Sequence, residues 1–276
     1  MSLFDQLTLA FNQKALLAAA LIGFSNGYLG GYIVLRKSAL MVGSLAHSLL
    51  PGLAVAILIF GVLNATTGFI GALAAALAIG LGSIAISRRS GLDGNSTLGI
   101  LYPASFAAGL IMLDHVQQAG ELEHWLFGNI LGLADSDLWT AWGISALVIL
   151  VLLALQRPLL VTLFNSSVAA SQGIRVALLD YVLMGLTVLA LINSLQSVGC
   201  ILSLGLMIAP ASTVYLFVTS PRGLFWGGGI LGATISCSAV VLSNMLDIRT
   251  GALIVTVLGS VFLVAFFTKQ LPFRKR

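Results

Sequence analysis

Charge is what this sequence has least of: only 8% of its 276 residues are Asp, Glu, Lys or Arg. A soluble domain carries about 25% charged residues, so a water-exposed globular surface is excluded. Cysteine is scarce too. Cys200 and Cys237 are the only two, far apart and without CxxC spacing, which argues against a disulfide framework or a thiolate metal site. They read as small buried apolar groups. A GxxxxGK[ST] phosphate loop, the usual cradle for a nucleotide's phosphates, is missing. A GxSxG elbow is missing as well, which weakens any hydrolase reading of its serines. The first residues, "MSLFDQLTLAFNQK", have no basic region ahead of an apolar core and read as an interfacial amphipathic helix.

Apolar residues fill the rest, at 59% of the chain and a mean hydropathy of +1.07. Runs of about 20 apolar residues, enough to cross a bilayer, lie near 15–35, 39–62, 67–87, 97–113, 138–156, 177–197, 199–219, 223–244 and 250–268. Their continuity excludes a transmembrane barrel, whose strands alternate. The expected fold is therefore all-α: a polytopic transmembrane helix bundle of eight or nine spans, forming one domain over 1–276. Connections near Ser38, Ala65 and Val198 are very short, so one or two runs are expected to be broken or re-entrant.

Basic residues orient the bundle. Arg36, Lys37, Arg88, Arg89, Arg157, Arg175, Arg222, Lys269 and the tail Arg274, Lys275 and Arg276 fall on one side, against Lys14 and Arg249 on the other. The positive-inside rule makes the first group cytoplasmic, with the N-terminus outside and the C-terminus inside. Asp114, Glu121, Glu123, Asp135 and Asp137 cluster in a segment without Lys or Arg, which falls on the outer side. That segment, 114–137, reads as an outer interfacial element. Its acids, with His124, form a negative surface for a cation or a basic partner. The pI of 9.3 reflects inner basic loops and gives no support to nucleic-acid binding.

Glycines recur in register. Gly23, Gly27 and Gly31 share one helix face, and Gly228 and Gly232 repeat the spacing. Such stripes let helix backbones approach closely in lipid and predict intramolecular packing. Asn193, Gln196 and Asn244 read as hydrogen bonds between helices, and Met207 as core. In "LFNSSVAASQGIRVALLD", Asn165, Ser166 or Ser167 is placed to cap a short helix that Gly173 would end.

One stretch, "MVGSLAHSLLPG", carries polar chemistry inside a span. Ionisable groups at membrane depth are costly and usually functional. Ser44 and His47, three residues apart, share a helix face, with Ser48 beside them. Pro51 has no N–H to give the carbonyl of His47, and Gly52 follows it. An imidazole with a freed carbonyl suits a divalent metal in transit. A histidine that merely holds helices together is the competing reading.

These residues also carry a resemblance. "AHSLLPGLAVAILI", "LGILYPASFAAGLIML", "LEHWLFGNIL", "SVGCILSLGLMIAPASTVYLF" and "LDIRTGALIVTVLGSVFLVAFF" resemble, in order and over nearly the whole chain, the membrane subunits of ABC importers for zinc, manganese and iron. The resemblance implies a multi-pass permease of the bacterial inner membrane that is a transport subunit and no enzyme. It implies a second permease subunit in a homo- or heterodimer, a cytoplasmic ATP-binding subunit and an extracytoplasmic metal-binding protein. The divalent metal would be substrate, with no cofactor tightly bound. The metal path would then include His47, Ser44, Ser48 and Asp247, with a gate or helix break at Pro51 and Gly52. Val168, Ala169, Ala170, Ser171, Gln172 and Gly173, within 165–174, match the family's cytoplasmic coupling helix. Glu121, Glu123 and His124 lie where the binding protein would dock.

One departure stands out. Family members commonly carry an aspartate four residues before this histidine, and here that position is Gly43. Either Ser44 and the carbonyls near Pro51 substitute, or a different partner permease keeps the carboxylate, or another species is carried. The rival functions are an ion-coupled secondary transporter, disfavoured by a membrane centre nearly free of acids, and an intramembrane hydrolase lacking a third group to orient its histidine.

Overall fold

The computed structural model describes residues 10–61, 64–114 and 135–270, and all regular structure among them is helical. Twelve helices follow in chain order. They are α1 (Ala10–Leu35), α2 (Ala39–His47), α3 (Leu49–Phe60), α4 (Ala65–Ser90), α5 (Gly94–Leu113) and α6 (Asp135–Ala154). After them come α7 (Gln156–Phe164), α8 (Ser166–Ser171), α9 (Val176–Val198), α10 (Cys200–Tyr215), α11 (Pro221–Leu246) and α12 (Thr250–Gln270). Among the described residues, eight segments are long and apolar enough to span a membrane, with α2 and α3 counted together as Ala39–Phe60.

The seventh apolar run, 199–219, folds as the shorter α10. Its 16 residues rise about 24 Å, less than the ~30 Å hydrocarbon core. A single residue, Gly199 at φ 95°, joins α9 to α10.

The helices form two compact units. One comprises Met1–Lys37, Leu126–Ile149 and Asn193–Arg276, the other Ser38–Trp125 and Leu150–Ile192. In the first unit, α1 is the hub, and the glycine stripes read from the sequence meet each other. A Cβ on Gly23 would lie 2.5 Å from the Gly232 carbonyl oxygen, and one on Gly228 would lie 2.6 Å from that of Gly27. Position therefore rises along α1 as it falls along α11, and the two helices are antiparallel. Gly31 leaves room for the Phe225 ring, which stacks on Tyr32 at 4.2 Å. Without a hydrophobic drive between helices in lipid, such contacts supply dispersion energy that bulkier residues would forfeit.

α10 packs beside α1, where Gly30 meets Met207 and Ala211. It also packs on α12, where Gly205 meets Val255. Met207 is fully buried in this core. Antiparallel packing puts Arg222, in the first turn of α11, at the same end of the unit as Arg36 and Lys37. The short α10 thus does not upset the charge asymmetry read from the sequence.

In the second unit, α3 crosses α4 at Gly52 and Gly71, each leaving no room for a Cβ on the other. Asn64 starts α4 with a capping box: its side chain accepts from the Thr67 amide at 2.8 Å, and its own amide donates to Thr67 Oγ1 at 3.0 Å. Asp93 caps α5 by accepting from the amides of Asn95 and Ser96. Gly80 of α4 faces Met184 of α9 and Leu45 of α2. At the end of α4, Arg88 donates to Asp180 of α9 across 2.7 Å.

Candidate functional site

The expected 39–62 span is one apolar run broken at Ser48. The Ser48 amide donates to both Ser44 and Leu45 carbonyls at 3.1 Å, loosening the α-helical register toward a tighter turn. Its hydroxyl donates back to the Ser44 carbonyl at 2.7 Å, a bond that bends helices. Three residues on, Pro51 withholds the N–H that His47 would have received. The two effects fall within one turn, so His47 closes α2 where the regular hydrogen-bond ladder is interrupted.

The far side of the break is fixed. A Cβ on Gly109 of α5 would sit 2.8 Å from Pro51 Cα and 2.9 Å from its nitrogen. The α5 backbone therefore covers the stretch of α3 that lacks a donor. Gly52, next to it, is held against Gly71 of α4. Pro51 and Gly52 are both buried at these crossings.

His47 itself is half-buried. Its ring lies 5.7 Å from Tyr102, tilted by 30°, and 6.0 Å from Phe106, edge-on at 82°. Ser44 is also half-buried, and its hydroxyl donates to the Leu40 carbonyl at 3.0 Å. Ser48 is fully buried, with its hydroxyl proton committed to the bend. These three predicted residues therefore lie together, with His47 and Ser44 on the accessible side. Gly43 differs from the packing glycines, because a Cβ there would meet nothing within 4 Å. Leu40, one turn earlier on the same face, is 81% exposed, whereas positions 43, 44 and 47 are half-buried. Among the described residues no three of His, Cys, Asp and Glu gather as a metal cage. The chemistry on offer is one imidazole, hydroxyls and helix-end carbonyls.

Asp247 belongs to the other unit, where it ends α11 in the left-handed conformation, φ 51° and ψ 46°, and is exposed. Its amide donates to the Ser243 carbonyl. The Ser243 hydroxyl lies 2.6 Å from the Ile248 carbonyl and 2.6 Å from Thr250 Oγ1. Asp247 is thus the turning residue of a tightly bonded corner, a position that Asp tolerates better than most residues.

The first unit also carries a buried polar chain that sequence reasoning caught only at Asn193. That amide donates to Ser145 Oγ at 2.9 Å and to the Ala141 carbonyl at 3.2 Å, and Ser145 meets Ser25 of α1 at 3.4 Å. Asn193 therefore joins helices, as its type predicts.

The 165–174 segment is a short capped helix. Asn165 accepts from the amides of Ser167 and Val168, both at 3.1 Å, and Gly173 turns the chain at φ 78°. Ala169 is buried, while Val168, Ala170, Ser171, Gln172 and Gly173 are exposed. Phe164, just before the cap, is 70% exposed, so an apolar edge borders the helix. Glu121, Glu123 and His124 lie outside the described residues, as does all of 114–137 from 115 to 134.

Tyr102, Phe106 and Gly109 escaped the sequence reading. Their spacing of four and three residues places them on one helix face, but in an apolar span that pattern also signals plain packing.

Among the described residues, eight apolar segments long enough to span a membrane, glycine stripes that let helices pack closely, and a polar break at Ser48 within one span mark a multi-pass membrane protein of the transport class. The chain belongs to the ABC 3 transport family, whose model matches residues 8–269. It is 34% identical over 96% of its length, and 89% of the relative's, to the manganese transport system membrane protein MntC of Halalkalibacterium halodurans. It is 29% identical to a probable iron transport system membrane protein of Haemophilus influenzae, over 99% of this chain and 98% of that one. Its fold matches a chain in the structure of PsaBC from Streptococcus pneumoniae in complex with Fab, with a TM-score of 0.82 and 32% identity, covering 96% of this chain and 94% of that one. Permeases of this kind are transport components, not enzymes.

Proposed function

We propose that this chain is the permease subunit of an ATP-driven importer that moves a divalent metal ion, manganese or iron in preference to zinc. The relatives' names support the substrate class. The observation that carries the path is His47, half-buried at the end of α2 where Pro51 gives its carbonyl no proton. Imidazole and oxygen donors together accept Mn²⁺ and Fe²⁺, whereas a tight zinc site would want a closed tetrahedral set.

Energy enters from outside. In this reading α8, with exposed Val168 and Phe164 beside it, docks on a cytoplasmic ATP-binding subunit. The gathering of Arg36, Lys37 and Arg222 at one end of the first unit supports that end as cytoplasmic. An extracytoplasmic binding protein hands over the metal on the opposite side. A second permease subunit completes the path. Because Gly43 has open space and lacks a side chain, a partner that keeps a carboxylate near this position is the favoured pairing.

Proteoliposomes holding this chain, its ATP-binding subunit and the binding protein test the proposal. Uptake of ⁵⁴Mn²⁺ should need ATP and should fall at least tenfold in His47→Ala. Uptake by the chain alone under an ion gradient would point instead to a secondary carrier.

A further inference from the structure

Tyr102 and Phe106 are one turn apart on α5, and both rings lie against the His47 ring, at 5.7 and 6.0 Å. Gly109, three residues further, continues their stripe and holds Pro51 backbone to backbone. On the facing helices His47 and Pro51 are likewise four residues apart. The contact at Gly109 and Pro51 therefore sets the register in which the two rings meet the imidazole.

We propose that Tyr102 and Phe106 are positioning residues that fix the plane of the His47 imidazole for metal binding, an inference that rests on His47 lying in the metal path. The two rings meet the imidazole differently, Tyr102 at a shallow tilt and Phe106 nearly perpendicular. Both are favourable aromatic geometries, and together they restrict rotation about the histidine's second side-chain torsion. An imidazole whose plane is set directs its nitrogens without first losing that freedom. The break at Ser48 makes such support useful, since His47 is the last residue of its helix and its carbonyl receives no proton from Pro51. No hydrogen bond is needed from either ring, so Phe and Tyr should be interchangeable at both positions. Apolar walls of this kind also control water at a metal site.

A double-mutant cycle separates positioning from general packing. The permease with its ATP-binding subunit, in nanodiscs, is titrated with Mn²⁺ alone, and free aquo-Mn²⁺ is read by EPR, which follows dissociation constants into the millimolar range. Tyr102→Leu and Phe106→Leu should each weaken binding about tenfold, the lower end of what loss of a ligand's supporting group costs. Tyr102→Phe and Phe106→Tyr should keep it. In a His47→Ala background the leucine variants should add nothing further, because the rings act through the imidazole. Equal weakening in both backgrounds would overturn the proposal, as would leucine variants that bind like the parent. A fall in Tyr102→Phe matching that of Tyr102→Leu would make the hydroxyl a ligand and also overturn it. If His47→Ala alone leaves binding unchanged, the metal path itself is misassigned, a result distinct from each of these.

Discussion

Pro51 and Gly109 meet backbone to backbone, with the Pro51 nitrogen 2.9 Å from where a Cβ on Gly109 would stand. The contact solves two problems at once. It buries the part of α3 whose helical hydrogen bond is missing, and it holds α5 where its aromatic stripe reaches His47. Gly109→Ala must push the helices apart. Overpacking of this kind costs about 1–3 kcal/mol. We expect a lower thermal midpoint in detergent and a loss of metal uptake larger than the fraction unfolded would explain. Gly43→Ala, with open space around it, should leave the midpoint unchanged and serves as the control.

Gly43→Asp restores a carboxylate one turn before His47, on the same helix face. The space is free, so folding should be undisturbed. Binding of Mn²⁺ to the permease should tighten about tenfold, the change that ~1.4 kcal/mol brings. Titration read by EPR measures it directly. No change in affinity would count against a ligand position at 43.

Much of this was legible in advance, for definite reasons. Hydropathy alone gave the bundle, because a helix in lipid needs a continuous apolar run. The glycine stripes at 23, 27, 31 and at 228, 232 announced close packing, but nothing in their spacing says which stripe meets which. His47 was visible because an ionisable ring stands out at membrane depth. Its supports were not: Tyr102 and Phe106 look like any apolar filling, and only tertiary register gives them a common neighbour. The 39–62 break was signalled by Pro51 but falls at Ser48, since a proline disturbs the turn before itself. The short α10 was anticipated only as one of the runs that a tight connection, here at Val198, could break, because apolar composition continues past its end into 216–219.

The α8 cap yields another prediction. Asn165→Ala removes an acceptor for two amides, and such a loss costs about 0.5–2 kcal/mol. In so short a helix that is enough to fray it. Hydrogen exchange at Ser167 and Val168 should speed up while the spans stay protected. Under the docking reading, ATP-driven uptake should fall and Asn165→Asp should restore it. Uptake that is indifferent to the cap would argue against α8 as the docking element.

At the start of α5, hydrogen bonds from Ser96 and then Asn95 hold the Asp93 carboxyl below its usual range. A depressed carboxyl contributes stability above its unfolded value and loses it as pH falls through the folded one. The first turn of α5 should thus stay protected at neutral pH and loosen only in acid, below the ordinary carboxylate range. Exchange at Asn95 and Ser96 between neutral pH and strong acid measures this. Asp93→Asn keeps an acceptor without a titrating group, and its protection relative to the intrinsic exchange rate at each pH should be flat across the same range.

Asp247 separates two roles that composition could not. Its backbone is left-handed, which favours Gly or Asn in place of Asp. Asp247→Asn removes the charge and keeps the turn, and Asp247→Gly removes the side chain while relaxing the backbone by up to ~1 kcal/mol. If the residue serves the corner formed with Ser243 and Thr250, both variants should fold as well as the parent and transport at its rate. If its carboxylate handles the metal, both should fold normally yet lose uptake together. The tight bonding of that corner and the exposed carboxylate favour the first outcome, and ⁵⁴Mn²⁺ uptake with the three chains side by side decides it.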